Sequence, residues 1–292
     1  MKVIVGVDGS KYGRWELNWV AKLPLVEPPQ VMALHVLDSA AFRLPFRTKL
    51  ETQRIEAHSA KTLTDTKKRL TSLKLKGTVR KEQGAVAPVI LNRAPKRDGL
   101  LVVGSRGLDA LDRFTLGSVS TKLIQHATCP VLVVKNEAAP LRRITLATDG
   151  SEASAQALEF VLTKFQPDGS TGKGRRLPIH VSVIHVMVPS PLAPLDIGTT
   201  IPWIKYRGLK VKETGRRLVE QTVQKLIEAG FTAEPLCQSG NAADMIMKVA
   251  SKQHADLIVM GAKGLGAIDR FLLGSVSTRV VQHANCSVLV VR

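Results

Sequence analysis

GSRGLDALDRFTLGSVST, residues 104–121, continues the apolar run LLVVG (100–104) and returns as GAKGLGAIDRFLLGSVST at residues 261–278, a constant shift of 157 positions. Glycines keep one spacing in both copies: Gly104, Gly107 and Gly117 followed by Ser118, then Gly261, Gly264 and Gly274 followed by Ser275. An apolar run ending on glycine, a loop, and then the helix-forming SVST place this frame between a strand C-terminus and a helix N-terminus. Such an N-terminus carries N–H groups without intrahelical acceptors and the positive end of the helix dipole, and glycine lets backbone approach an anion without a Cβ in the way. Phosphate is the expected guest.

The repeat reaches beyond the glycines. QHATCPVLVV (125–134) is answered by QHANCSVLVV (282–291), and the opening VIVGVDGS (3–10) is answered by ITLATDGS (144–151). The openings are shifted by 141 rather than 157, so the second half carries about sixteen extra residues, a modest entropic cost if they lie in loops. Two units are therefore expected, residues 1–138 and 139–292, with the boundary in NEAAPLRR (136–143). The boundary is short, so the halves should touch. The extra residues concentrate in two stretches rich in Gly, Pro and Ser, 166–178 and 188–203, which read as surface loops, the second a candidate lid.

Short β-branched or Leu-rich runs at 2–7, 31–37, 78–82, 99–103 and 131–134 predict five strands, and helical patterns at 11–22, 48–75, 86–93 and 118–127 lie between them. The second half repeats this with strands near 143–147, 179–187, 232–236, 256–260 and 287–291 and helices near 152–164, 205–229, 241–253 and 275–284. Alternating strand and helix predict an α/β fold, two doubly wound five-stranded parallel sheets in tandem, each covered on both faces. Pro88 and Pro95 count against the helix at 86–93.

Composition narrows the class. With 292 residues, 44% of them apolar, the chain can bury two ordinary cores. Lys2 precedes an apolar run of five residues that Asp8 ends, too short for a signal segment or a membrane span, and no other run is long enough either, so a cytoplasmic protein is expected. Three cysteines, with Cys129 and Cys286 at equivalent positions and Cys237 alone, fit a reduced environment and small buried hydrophobes better than disulfides or metal ligands. The net charge of +18 divides into 23 basic against 12 acidic residues over 1–140 (+11) and 19 against 12 beyond (+7). Such a field favours anionic partners. The basic residues are dispersed, however, and aromatics make up only 4%, which argues against a base-stacking single-strand binder.

Asp8 and Asp149 stand one step beyond the first strand of each half. In a doubly wound sheet that position flanks the crevice where ligands bind, so each aspartate should face its glycine loop. A carboxylate there either accepts from ribose hydroxyls, holds a cation beside phosphates, or caps the following helix. Ser118 and Ser120, like Ser275 and Ser277, either cap the helix or donate to phosphate oxygens. His126 and His283 fall at a helix end and read as structural, as do His35 and His185 at the end of the second strand. None has metal-ligand spacing with cysteine.

The pattern G-x2-G-x9-G-S after an apolar strand, with V-D-G-S opening the unit and HV closing its second strand, resembles the universal stress protein family, and both halves match over nearly their whole length. That resemblance implies the strand order 3-2-1-4-5 in each half and pairing of the terminal strands VLVV (131–134 and 288–291), so that the chain forms a dimer-like unit with itself; further association into a homodimer stays open. It also implies ATP at each half, with or without Mg, and a regulator of the stress response. Carried over position by position, Asp8 and Asp149 hold the ribose and the backbone at Val36 and Val186 meets the adenine edge. Gly104, Gly107, Gly117 and Ser118 cradle the phosphates, as Gly261, Gly264, Gly274 and Ser275 do in the second half; Val119 and Val276 lend N–H groups, and Arg106 and Lys263 add positive charge. No GxxxxGK[ST] occurs and no residue stands out as an activator of water, so at most slow hydrolysis is expected. Two rival readings stay open: a nucleic-acid or anionic-surface binder driven by charge, and a slow nucleotide hydrolase.

Overall fold

The computed structural model describes residues 1–39, 48–96, 98–105, 116–169, 178–188, 202–264 and 273–292, with backbone alone for 202–212. The first half runs β1 (Lys2–Gly6), α1 (Lys11–Lys22), β2 (Gln30–Asp38), α2 (Lys49–Ser72), β3 (Gly77–Gly84), α3 (Val86–Arg93), β4 (Gly99–Gly104), α4 (Ser118–His126) and β5 (Val131–Val134). The second runs β6 (Arg143–Ala147), α5 (Glu152–Lys164), β7 (His180–Met187), α6 (Pro202–Glu228), β8 (Thr232–Ser239), α7 (Ala242–Lys252), β9 (Leu257–Gly261), α8 (Ser275–His283) and β10 (Ser287–Val291). The fold is α/β, as the alternation predicts. Among the described residues no helix is long and apolar enough to cross a membrane.

All ten strands form one sheet in the order β3-β2-β1-β4-β5-β10-β9-β6-β7-β8. Each half is parallel throughout, and the halves meet where β5 and β10 pair antiparallel, Val131 opposite Val290 and Val133 opposite Val288. Helices cover both faces, so the central strands are apolar at nearly every position and β4, β5, β9 and β10 are buried along their length. One core lies under α1, α2, α5 and α6 and the other under α3, α4, α7 and α8, and each runs across both halves.

The seam is held by equivalent residues acting in opposite directions. Lys135 Nζ donates to the carbonyls of Gln282 (3.1 Å) and Ala284 (2.7 Å) at the end of α8. Arg292, 157 positions on, donates through Nη2 to Gln125 O (2.9 Å) and Ile124 O at the end of α4. Each cation thus meets the negative end of a helix in the opposite half. The boundary segment is a packed strap: Ala138 and Leu141 are buried, Trp19 Nε1 donates to Asn136 O (3.0 Å), and the amides of Arg142 and Arg143 donate to Asp256 Oδ2 (2.8 and 2.9 Å).

The helix at 86–93 forms despite its proline. Pro88 is the third helical residue, where the missing N–H would have no intrahelical acceptor, and Pro95 lies just beyond the C-cap Ala94. Most of the two inserted stretches falls outside the described residues, so the lid expectation for 188–203 rests there.

Candidate functional site

Each half turns on the sequence Asp-Gly-Ser after its first strand. Gly9 and Gly150 take φ of +85° and +81°, the left-handed region that favours glycine. The turn folds each aspartate back on its own chain: Asp8 Oδ1 accepts from the Ser10 amide (2.8 Å) and Asp149 Oδ1 from the Ser151 amide (3.0 Å). Ser10 and Ser151, not the aspartates, are the N-caps of α1 and α5.

The glycine loops leave and return at one point. Gly117 N–H donates to Ser105 O and Gly274 N–H to Ala262 O, both at 2.8 Å, so the excursion between them is tied at its neck. Gly117 and Gly274 are the N-caps of α4 and α8 and provide no side-chain acceptor, which leaves first-turn N–H groups, those of Ser118, Val119 and Ser120 and of Ser275, Val276 and Ser277, without a capping side chain. Ser118 and Ser275 are exposed at the first helical position. Val119 and Val276 pack their side chains on the core beneath. The hydroxyls of Ser120 and Ser277 behave otherwise than a capping or phosphate-binding role requires. Both are buried and donate backward, to Gly104 O (2.6 Å) and Gly261 O (2.9 Å), pinning each helix to the strand before it.

In the second half the aspartate and the loop touch. A Cβ placed on Gly264 would lie 2.5 Å from Asp149 Oδ2. Ser151 Oγ donates to Lys263 O (3.3 Å), a second tie between the opening turn and the loop. Lys263 Nζ is buried and has no hydrogen-bond partner among the described residues. In the first half Arg106 and Gly107 lie outside the described residues, whereas Gly104, Gly117 and Asp8 are in place.

Val36 and Val186 stand where β2 outruns β1 and β7 outruns β6. Leu34 O accepts from Val7 N–H (3.0 Å), and Ile184 O accepts from Thr148 N–H (2.9 Å). Backbone polar groups two residues on point to the same side of a strand, so those of Val36 and Val186 face the gap left where β1 and β6 have turned away. His35 and His185 close the floor of that gap, donating through Nδ1 to Val7 O (2.8 Å) and Thr148 O (2.9 Å). Burial lowers the His35 pKa, opposed chiefly by its bond to Val7, and its Nε2 has no partner among the described residues.

Sequence reasoning passed over three residues of the first half. Glu16 sits on the buried stripe of α1 with Gly13, Leu17 and Val20, only 3% exposed. Burial, and then the charge of Asp8, push its carboxyl well above the usual range, opposed by the Gly104 amide. An acid at the i+3 position of an apolar stripe was the available signal; the equivalent residue of the second half is Ala157, which is buried. His58 and Thr62 of α2 close over Gly9: His58 Nε2 donates to Asp8 O (3.0 Å), and a Cβ on Gly9 would lie 2.5 Å from Thr62 Oγ1. Only long-range packing brings them there. Among the described residues no group of three or more His, Cys, Asp or Glu is placed to hold a metal.

Comparison with known proteins agrees with the repeated architecture. The profile of the Universal stress protein family matches residues 1–135 and again 140–292. A universal stress protein of Mycolicibacterium smegmatis is 30% identical over 303 residues, spanning 99% of this chain and 96% of its own length. One from Methanocaldococcus jannaschii is 30% identical over 160 residues, 55% of this chain and 87% of that protein. Among solved structures, a universal stress protein from Archaeoglobus fulgidus superposes with a TM-score of 0.71 at 18% identity, covering all of this chain and 96% of that one, a likeness of fold. This chain belongs to the universal stress protein family, whose profile it matches once in each half.

Proposed function

We propose that each half binds an adenine nucleotide, ATP in the first instance and with or without Mg, and that the chain works in the cytoplasm as a nucleotide-responsive regulator of stress with little or no turnover. The observation that carries this reading is the contact between Gly264 and Asp149. It makes one surface of a carboxylate suited to ribose hydroxyls and an amide-lined loop suited to phosphate. The open backbone edges at Val36 and Val186 lie each in its own half, Val186 in the half that holds Gly264 and Asp149, near the switch point between the strands that lead left and right. In this reading Ser118 and Ser275, at the first position of their helices, and the amides of Val119 and Val276 meet phosphate oxygens, while Gly261 keeps the strand end clear for the close approach of Ala153.

The test is nucleotide carried by the purified protein, released by denaturation and counted per chain, followed by titration of stripped protein with ATP. Two equivalents per chain are expected, and Gly117→Asp and Gly274→Asp, which place a carboxylate at the anion site, should each remove one. Retention of both equivalents in the double variant, or binding only of nucleic acid with a steep loss in salt, refutes the reading.

A further inference from the structure

The surplus of positive charge is shared unequally by units of the same build. The turns after α2 and α6 match: Leu75 N–H donates to Leu70 O (3.0 Å) and Phe231 N–H to Leu226 O (2.9 Å), a shift of 156 positions. Sheet register gives the same shift. Val31 and Val181, each four residues before the histidine of its strand, stand opposite Gly77 and Ala233. Residues 61–81 hold eight basic side chains and one acidic, a net +7, whereas the equivalent 217–237 hold two basic and three acidic, a net −1. One helix–turn–strand unit therefore folds with either charge, and the fold does not require the lysines.

Folding gathers the cations of the first half onto one outer surface. Ser59, Thr62, Thr66 and Leu70 form the buried stripe of α2. At about 100° per residue, Lys61 and Lys68 lie nearly opposite that stripe, two turns and about 10 Å apart. Arg69 turns toward α1, where its Nε donates to Asn18 Oδ1 (2.9 Å). Lys67, on the opposite side of the helix from Arg69, looks toward the outer edge of the sheet, where β3 is the last strand. Lys74 and Lys76 continue the surface in the turn between α2 and β3. These five lysines are exposed, and none is ion-paired among the described residues. From Lys61 to Lys74 the surface runs about 20 Å along the helix axis. On α6, by contrast, Arg216 and Arg217 are paired with Glu220 (2.7 Å) and Glu213 (2.5 Å).

Unpaired like charges spread over a convex helix repel one another, and a partner carrying regularly spaced negative charge relieves them together. Residues 49–84 contain no Phe, Tyr or Trp, so the surface lacks the stacking platform that single strands use. No large hydrophobic side chain is exposed within 61–81, so nothing there enters a bilayer. Duplex nucleic acid presents one phosphate charge per about 1.7 Å of its axis, which lysine point charges meet without contact to the bases.

We infer that the outer surface of α2 and its turn into β3 binds the phosphate backbone of duplex nucleic acid, without regard to base sequence, through Lys61, Lys67, Lys68, Lys74 and Lys76. This interaction goes beyond the nucleotide reading and does not depend on it.

Fluorescence anisotropy of the full chain with a labelled DNA duplex of about 20 base pairs, between about 0.05 and 0.2 M salt, tests it. The logarithm of affinity should fall with the logarithm of salt at a slope of about −4.5, the share of five phosphate contacts. Lys67→Gln with Lys68→Gln, and separately Lys74→Gln with Lys76→Gln, should each flatten that slope by about 2 and weaken binding about tenfold or more at 0.1 M salt. Lys248→Gln with Lys252→Gln removes the same charge from exposed positions of α7, in the other half and on the other face of the sheet, and should change affinity less than about twofold. All these side chains are exposed, so the variants should keep the urea midpoint of the parent. No binding at the lowest salt, equal losses in all three variants, or an unmoved slope in the first two overturns the inference. Tighter binding of inorganic polyphosphate or of phosphatidylserine vesicles than of the duplex also overturns it. The nucleotide content of the variants should equal that of the parent; a parent chain without nucleotide counts against the nucleotide reading and leaves the duplex titration to decide this surface.

Discussion

Replacing Gly264 by alanine separates a ligand-binding role from a packing role at the glycine frame. Its backbone φ lies outside the left-handed region, so alanine is tolerated there and gains about 0.4–1 kcal/mol from a less flexible unfolded chain. The added Cβ meets Asp149 Oδ2 at 2.5 Å, roughly 1 Å inside van der Waals contact, with the carboxyl carbon next at 3.7 Å. A carboxylate relieves that overlap by rotating, at about 0.5–1.5 kcal/mol, so the net change in stability stays within about 1 kcal/mol. Binding is less forgiving. A displacement of about 1 Å takes a carboxylate out of hydrogen-bonding range of a hydroxyl. Losing a charge-assisted hydrogen bond of about 1.5–3 kcal/mol weakens affinity about ten- to a hundredfold. Gly261→Ala is the contrasting change, since its Cβ meets Ala153 C at 2.6 Å, Ala153 O at 2.7 Å and Ala153 Cβ at 2.8 Å. Backbone cannot rotate away, and moving the start of α5 costs about 1–3 kcal/mol or more. Calorimetric titration with ATP alongside urea unfolding reads both quantities. If Gly264→Ala binds two equivalents of ATP as tightly as the parent chain, or if it destabilises the fold as much as Gly261→Ala, the assignment of Asp149 is wrong.

Three further outcomes follow from the same geometry. Glu16 has a folded pKa raised above its unfolded value, so the stability it contributes is complete in acid and is lost as pH rises from about 4.3 through the folded pKa; Glu16→Gln should therefore match the parent near pH 4 and exceed it increasingly as pH rises above that in urea midpoints, and parallel pH profiles would contradict the burial argument. Arg292→Ala and Lys135→Ala each strip a cation from helix-end carbonyls across the seam and should cost about 1–2 kcal/mol, additively because they share no partner, whereas a double variant no worse than either single one would mean the two ends are coupled. Burial pushes the thiols of Cys129 and Cys286 up to about 11, so a thiol reagent at pH 7.5 should modify at most Cys237 in the native protein and all three cysteines in denaturant; rapid modification of a second thiol would show that the buried strand starts open readily.

How far the sequence discloses this molecule depends on the range of the interactions involved. Element positions were legible because strands buried on both faces must be apolar throughout and helices must repeat near 3.6: α1, β5, β6, α5 and β10 begin and end where the residue pattern alone puts them. The short helix α3 was harder to read, since a proline counts against a helix until its place in the first turn is known. The glycine frame was legible as a strand-to-helix loop through its repetition, whereas the partners of its serine hydroxyls were not. SVST gives serines at i and i+2, and only the geometry of the strand end reveals that the second turns back to Gly104 or Gly261. What the sequence could not disclose are contacts made across about 50 to 170 residues: His58 over Asp8, Arg292 on Ile124, and the cleft that Lys96 and Lys263 both line. The close equivalence of the motif copies suggested two equal sites. The difference between them comes instead from residues outside the motif, from Tyr12 and Trp15 against Ala153 and Gln156, from Lys96 against Gln253 and from Glu16 against Ala157. A duplicated loop therefore does not make the halves equal: the buried carboxyl of Glu16, raised by its surroundings, faces no acid at the equivalent position, where Ala157 stands, so the halves differ in their response to pH.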